Sequence, residues 1–388
     1  MQFNLKTIVQ QHMNRRKFLF TNIKIRDGKE TDKDIYSDYK IKMFYEKEMA
    51  HMGVLILNRE EVKKVIDMRE VIEKVRGVYQ LKAKGQSVIW PLVNYEFEEE
   101  HAAMDIRSGY VKGEQLHGLK MLNNFPDNTK KGLPPFNGVM MVYDSNTGIP
   151  IGIMDASYIT CMRTGAAGAL GVDALARKDA RHLMLMGAGK QAPFQIAATL
   201  ILRPQIDKVY IVDPVNYPQA QDLAAKIKAQ LKEEFKVDAD GVEFVAEESI
   251  EKAVADSDAV ITVTRATKPM IMKEWVKPGT HFSCLGSDME GKEEIDGEIF
   301  QGAKIYADDI AQCIRVGEME IPLKEGTIKK EDITGEIGDL LCGNIVGREN
   351  DSEITIFDAT GLYILDLVAA KVAITKAKEA KIGIEAEM

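Results

Sequence analysis

Four apolar residues in a row, Leu183-Met-Leu-Met186, run straight into a glycine-rich turn and then a mostly apolar stretch from Ala192 to Leu200. A short run with no polar alternation suits a strand buried on both faces, so the pattern predicts strand, tight turn, helix. Similar strand-like runs recur at Lys208–Val212, Asp258–Thr264 and His281–Gly286, each after a helical segment. Strands alternating with helices predict a doubly wound parallel sheet of the α/β class.

The chain before this region reads differently. A short strand at Val54–Asn58 leads to Asn58 as N-cap, with Glu61 three residues on. These open a helix through about Ala83 whose apolar positions include Val62, Val65, Ile66, Val71, Ile72 and Val75. Strand-like segments follow at Gln86–Val93, Met104–Tyr110 and Gly118–Asn123. Val139–Tyr143 and Ile149–Met154 form a hairpin across the turn residues Asp144–Gly148, so this part predicts an antiparallel sheet. A helix dense in small residues, Ala156–Asp173, follows it. Near the end come a strand at Ile354–Phe357, a turn at Thr360-Gly361 and a terminal helix from about Leu362 to Ala380.

The turn itself carries the first chemical signal. Gly187-Ala-Gly-Lys-Gln-Ala192 fits the G-x-G-x-x-G/A pattern of a Rossmann-like dinucleotide fold. Gly187 permits the tight turn, Gly189 lets a pyrophosphate reach backbone N–H groups at a helix N-terminus, and Ala192 lets helix and strand pack closely. Lys190 and Gln191 lie in the same loop, and Pro193 stands in the first helical turn, where a missing N–H is tolerated. Asp213 ends the next strand 26 residues after Gly187, close to where an acidic residue accepts from a ribose 2′-OH. The following Pro214, Val215 and Asn216 offer no cation for a 2′-phosphate, which favours NAD over NADP. The expected layout is an N-terminal extension at 1–52, a Rossmann part at 173–329, and an α+β substrate-binding and dimerisation part from 53–172 with 330–388, completed by the terminal helix.

Composition narrows the field. A net charge of −9 and pI near 5.4 argue against nucleic-acid or anionic-membrane partners. No run approaches the length of a membrane span. The four cysteines (Cys161, Cys284, Cys313, Cys342) lack C-x-x-C spacing and the histidines form no H-x-x-x-H pair, so no disulfide framework or metal site is expected, and the cytoplasm is the simplest location.

Several segments together resemble the ornithine cyclodeaminase/μ-crystallin family. Gly118-Leu-Lys-Met-Leu-Asn-Asn-Phe-Pro-Asp-Asn128, with Lys120, is similar to the family's substrate-lysine segment. Ile159-Thr-Cys-Met-Arg-Thr-Gly-Ala-Ala167, with Arg163 and Thr164, resembles its R-T-A-A helix, and Gly286-Ser-Asp-Met-Glu-Gly-Lys-Glu-Glu-Ile295 its G-x-D-x-x-G-K-x-E-L loop. Phe357–Leu362 and Thr262–Pro269 also fit family segments, the latter placing Thr262 and Thr264 near the cofactor together with Gly286 and Thr164. The chain departs from the family in three places. No Arg or Lys lies between Gln86 and Ile106, which leaves Arg107 as the first candidate to replace the strand arginine that helps hold the substrate carboxylate in the family; Asp105 follows Met104 where the family usually has Pro; and Ala102 stands where cyclodeaminases carry Glu.

The resemblance implies NAD-dependent hydride abstraction from Cα of an L-amino acid, a homodimer, and Asp288 and Lys120 as catalytic groups. In chemical terms, Arg163 can hold a carboxylate bidentately, Lys120 as a point charge, and Asp288, just past a strand end, can take an amine proton. Each has a structural alternative: an ion pair for Arg163, a surface position for Lys120, a loop cap for Asp288, and strand packing for Thr262 and Thr264. The expected reaction is deaminating cyclisation of L-ornithine to proline and ammonia, with the hydride returned to a cyclic imine. The alternatives are an amino-acid dehydrogenase or imine reductase, or a non-catalytic ligand-binding protein.

Overall fold

The computed structural model describes residues 53–387, so the expected extension at residues 1–52 lies outside the described residues. Strand β1 (Gly53–Leu57) leads to helix α1 (Arg59–Val65). The predicted capping box forms: the Asn58 side chain accepts from the Glu61 N–H at 3.0 Å and the Glu61 carboxylate from the Asn58 N–H at 2.8 Å. The single helix expected to reach Ala83 is two helices, because Ile66 turns extended and Asp67 caps a new one, α2 (Met68–Ala83), by accepting from the N–H groups of Arg69 and Glu70. The strand expected over Gln86–Val93 is likewise divided around Trp90 and Pro91, into β2 (Ser87–Ile89) and β3 (Val93–Phe97). Proline has no N–H to give a ladder, so the pairing breaks there.

The long antiparallel strands follow as predicted: β4 (Ala102–Val111), β5 (Leu116–Asn124), β6 (Phe136–Asp144) and β7 (Pro150–Asp155). They pair in sequence order, and β1 joins β7 in parallel, so the sheet is mixed rather than purely antiparallel. Its far edge is β18 (Ile384–Glu387), which pairs antiparallel with β1.

Helix α3 (Ala156–Leu175) links this sheet to the next and is buried along nearly its whole length. Its small residues set the packing distance, since a methyl at Gly165 would lie 2.6 Å from the Phe194 carbonyl oxygen. The parallel sheet then begins with β8 (His182–Met186), α4 (Ala192–Leu202), β9 (Lys208–Val212), α5 (Tyr217–Glu234), β10 (Glu243–Ala246), α6 (Ile250–Asp256) and β11 (Ala259–Thr262). After β12 (Thr267–Ile271) come β13 (His281–Cys284), β14 (Glu293–Ile295), β15 (Lys304–Ala307), α7 (Ile310–Val316), α8 (Glu320–Glu325), β16 (Ile333–Glu336), α9 (Ile337–Cys342) and β17 (Thr355–Asp358). The order β10-β9-β8-β11-β13-β17-β15-β16 is parallel throughout. Strands β16 and β17, expected in the substrate-binding part, pair in this sheet. Their sequence positions lie beyond the central strands, so only the hydrogen-bond ladder reveals where they belong.

Strand order reverses between β8 and β11, the switch point where open α/β sheets bind ligands at their carboxyl edge. The glycine-rich turn sits at that point. The terminal helix α10 (Tyr363–Ala380) packs against α2, α3, β4 and β5, carrying a C-terminal segment back to the first sheet. Among the described residues no helix is long and apolar enough to cross a membrane, and no cluster of side chains has the makings of a metal site.

Candidate active site

Lys120 is fully buried on β5, which removes the surface alternative. It stands directly across the ladder from Arg107 of β4. Its ammonium donates to Asp366 Oδ1 at 2.9 Å and to the Thr160 hydroxyl at 3.2 Å. Arg163 Nε reaches the same Asp366 oxygen at 3.4 Å from α3. Two cations therefore share one carboxylate that has no exposure of its own, while Asp366 Oδ2 is buried without a hydrogen-bond partner. Charges so deeply buried are tolerated only when paired. No motif singles out Asp366; its signal in the sequence is one acid within the apolar run Tyr363-Ile-Leu-Asp-Leu-Val-Ala-Ala370.

The electrostatics follow from the burial. Burial pushes the Lys120 ammonium down to about 8; Asp366 opposes the shift, and Arg163 and Arg107 add to it. Burial alone would raise the Asp366 carboxyl, but Arg163 and Lys120 outweigh it and hold it below the ordinary value. A substrate carboxylate would bring Lys120 a second counter-charge. Affinity for a plain carboxylate such as propionate is therefore expected to hold below pH 8 and to fall as Lys120 loses its proton above it, by up to about tenfold per pH unit. Calorimetric titration across pH 6 to 10 checks this, with Lys120→Met expected to lose the pH dependence.

Arg107 connects the two sheets. Its Nη1 donates to the Gly361 carbonyl at 3.3 Å and its Nη2 lies 3.8 Å from Asp288 Oδ2. Asp288 follows β13, about one-third exposed, and its other oxygen pairs with Lys292 at 2.5 Å. The structure thus gathers Lys120, Arg163 and Arg107 into one basic cluster and brings Asp288 against its edge.

The glycine-rich turn takes the predicted form. Gly187 has φ +106°, a conformation that favours glycine, and open space lies in front of Gly189. Helix α4 begins at Ala192 with Pro193 in its first turn and no side chain capping it, which leaves backbone N–H groups near Lys190 and Gln191 for an anion. Asp213 lies beside the turn: its Oδ2 accepts from the Ala188 N–H at 3.1 Å, and its Oδ1 from those of Val215 and Asn216. A carboxylate has lone pairs left for a ribose hydroxyl after these bonds. The residues present therefore fit a dinucleotide.

Other expected cofactor contacts resolve differently. Thr262 is fully buried and its hydroxyl donates to Glu294 Oε2 at 2.6 Å, so at this position the packing alternative holds. Thr264 uses its N–H on Glu294 Oε1 at 2.7 Å and its hydroxyl accepts from Ala266, while Gly286 donates its N–H to Glu294 at 3.0 Å. Glu294 thereby ties together the loops that follow β11 and β13, which places Thr264 and Gly286 at the carboxyl edge. Its carboxyl is raised by burial, and the hydrogen bonds from Thr262, Thr264 and Gly286 work against that. Thr164 is nearly buried on α3, its carbonyl accepting from Gln195 at 3.0 Å.

A dinucleotide turn at the switch point, beside a buried basic cluster, defines a dinucleotide-binding α/β protein. The chain belongs to the ornithine cyclodeaminase/mu-crystallin family, whose sequence pattern matches residues 52–381. It is 35% identical to an archaeal alanine dehydrogenase dimer with bound NAD, with a TM-score of 0.78 and 86% of this chain and 99% of that one covered. It is 32% identical to the Thermococcus litoralis Δ1-pyrroline-2-carboxylate reductase in complex with NADH and L-proline, with a TM-score of 0.79 and 86% and 100% covered. The iminosuccinate reductase of Paracoccus denitrificans in complex with NAD+ is 28% identical, with a TM-score of 0.79 and 87% and 100% covered. The curated relatives include an alanine dehydrogenase, imine reductases and an uncharacterized cyclodeaminase of Sinorhizobium fredii at 29% identity, and the three solved structures hold NAD or NADH.

Proposed function

We propose that the protein is an NAD-dependent enzyme that interconverts a small L-α-amino acid and its imine, as a dehydrogenase or an imine reductase. The observation that carries this reading is the junction of the Lys120–Arg163–Asp366 cluster with Asp288, through Arg107, at the carboxyl edge of β13. Bound NAD supplies the hydride acceptor for the Cα–H bond. Lys120 and Arg163 hold the substrate carboxylate, and Asp366 keeps both cations in place. Asp288 accepts the proton the amine gives up as the C=N bond forms. Water adding to that imine releases the keto acid and ammonia; the reverse sequence reduces an imine.

Deaminating cyclisation of ornithine is a second reaction of the same chemistry, supported by the shared motifs but lacking the Glu at Ala102. Incubating the protein with NAD and L-alanine, L-ornithine, L-lysine or L-proline separates the two. Lasting NADH, formed in step with ammonia or an imine, supports dehydrogenation; proline and ammonia with no lasting NADH support cyclisation; no reaction in either direction contradicts the proposal.

Two further expectations belong to this reading. Asp213 should repel a 2′-phosphate, so NADH binds more tightly than NADPH in a fluorescence titration. Asp213→Ala should narrow that preference by about 1–3 kcal/mol, the scale of a hydrogen bond to a charged group. The outer face of the antiparallel sheet exposes Val88, Tyr95 and Val139 at 50%, 58% and 52%. A homodimer built through residues 86–154 would cover it, and light scattering at micromolar concentration should give twice the chain mass. A cytoplasmic setting fits the four unpaired cysteines.

A further inference from the structure

The basic cluster contains a third cation whose charge the proposed carboxylate site leaves unused. Arg107 stands opposite Lys120 in the ladder, and cross-strand side chains of this kind are close neighbours, about 5 Å apart at Cβ. Unpaired, it would form a second anion receptor beside the first. Asp105 lies two residues earlier on β4, so its side chain leaves the same face of the strand. Its Oδ1 is 3.5 Å from Arg107 Nε, and both atoms are buried without a hydrogen-bond partner. The pair is held by charge alone, close to the Asp288 carboxylate 3.8 Å from Nη2. Two carboxylates therefore flank Arg107, whereas Lys120 and Arg163 share one.

We propose that Asp105 is a specificity-determining residue: paired with Arg107, it cancels the second anion receptor and restricts the site to α-amino acids bearing a single carboxylate. The proposal rests on the reading of the site as one for amino acids and adds the charge class of the side chain. A substrate with a second carboxylate on a short side chain would bring that charge beside Asp105, and opposed like charges in a half-buried site disfavour binding strongly. An uncharged side chain meets no such opposition.

Calorimetry with propionate and succinate tests the idea without turnover, comparing wild type, Asp105→Asn, Asp105→Ser and Asp105→Asn combined with Arg107→Met. Wild type should bind propionate more tightly than succinate. Asp105→Asn and Asp105→Ser should each shift the ratio toward succinate by about tenfold or more, and the added Arg107→Met should erase the gain. The parallel assay compares kcat/KM for L-aspartate and L-alanine with NAD, where the same shift is expected. Succinate bound better by wild type, or single variants that leave the ratio unchanged, would overturn the role of Asp105. If neither amino acid reacts while the binding ratios shift as expected, the proposed reaction fails and the assignment of Asp105 stands. Binding of neither carboxylate defeats both.

Discussion

Asp366→Asn is expected to destabilise the protein by about 3–5 kcal/mol, the range for removing one partner of a buried ion pair. The variant leaves Lys120 and Arg163 facing each other without their shared carboxylate, in a setting where water reaches neither freely. Asn keeps the shape and one acceptor oxygen, so the loss reads the charge rather than the packing. A second effect follows at the site. Asp366 is the group that raises the proton affinity of Lys120, so its removal should move the alkaline limit of propionate binding below its starting point near 8. Urea unfolding gives the first quantity and calorimetry across pH the second. A folding stability within about 0.5 kcal/mol of wild type, the usual range for neutral surface changes, together with an unmoved pH limit, would show that Asp366 does not organise the cluster.

Asp288→Asn should lower kcat by roughly 10²-fold or more, the usual range for a lost general base. An amine that becomes an iminium gains positive character as hydride leaves Cα, which a neighbouring carboxylate stabilises and the three cations of the cluster would oppose. Asp288 meets the edge of the cluster from the loop after β13, at 3.8 Å from Arg107 and about one-third exposed, on the carboxyl edge of the parallel sheet where the cofactor turn lies. Arg163→Lys should act chiefly on KM, because the fork geometry goes while the charge stays. Steady-state kinetics of both variants on the best substrate check the split. Full kcat in Asp288→Asn would remove the residue from the chemistry.

The parallel sheet was legible because each of its central strands is a short apolar run with its own turn chemistry. Gly187, Gly189 and Asp213 could be placed from spacing alone, since local backbone geometry dictates those residues. The break at Asp67 was not legible: Val65 and Ile66 continue the helical apolar period across it, and only the Asp67 cap reveals that the helix restarts. Strands such as β15, β16 and β18 are about four residues long, too short for any period to show.

The candidate site shows the same division. Lys120, Arg163 and Asp288 came from motifs, but their partners lie far away in sequence: Asp366 is 246 residues from Lys120. Burial turned one ambiguity around, because Thr262 occupies the kind of position a cofactor contact would have and spends its hydroxyl on Glu294 instead. Sequence periodicity places a side chain on a face of its own element. It does not say what a distant element presents to that face.

The transfer of a single labelled atom tests the central claim most directly. The protein is incubated with NAD and L-alanine carrying deuterium at Cα, and the nicotinamide product is examined by mass spectrometry. Direct hydride transfer predicts reduced cofactor one mass unit heavier than that formed from unlabelled alanine, with ammonia released in equal amount. Unlabelled NADH, with the deuterium lost to water, would contradict direct transfer from Cα. If alanine is not the preferred substrate, the same experiment is run on whichever amino acid the substrate comparison selects; absence of labelled NADH from every amino acid that reacts would contradict the account.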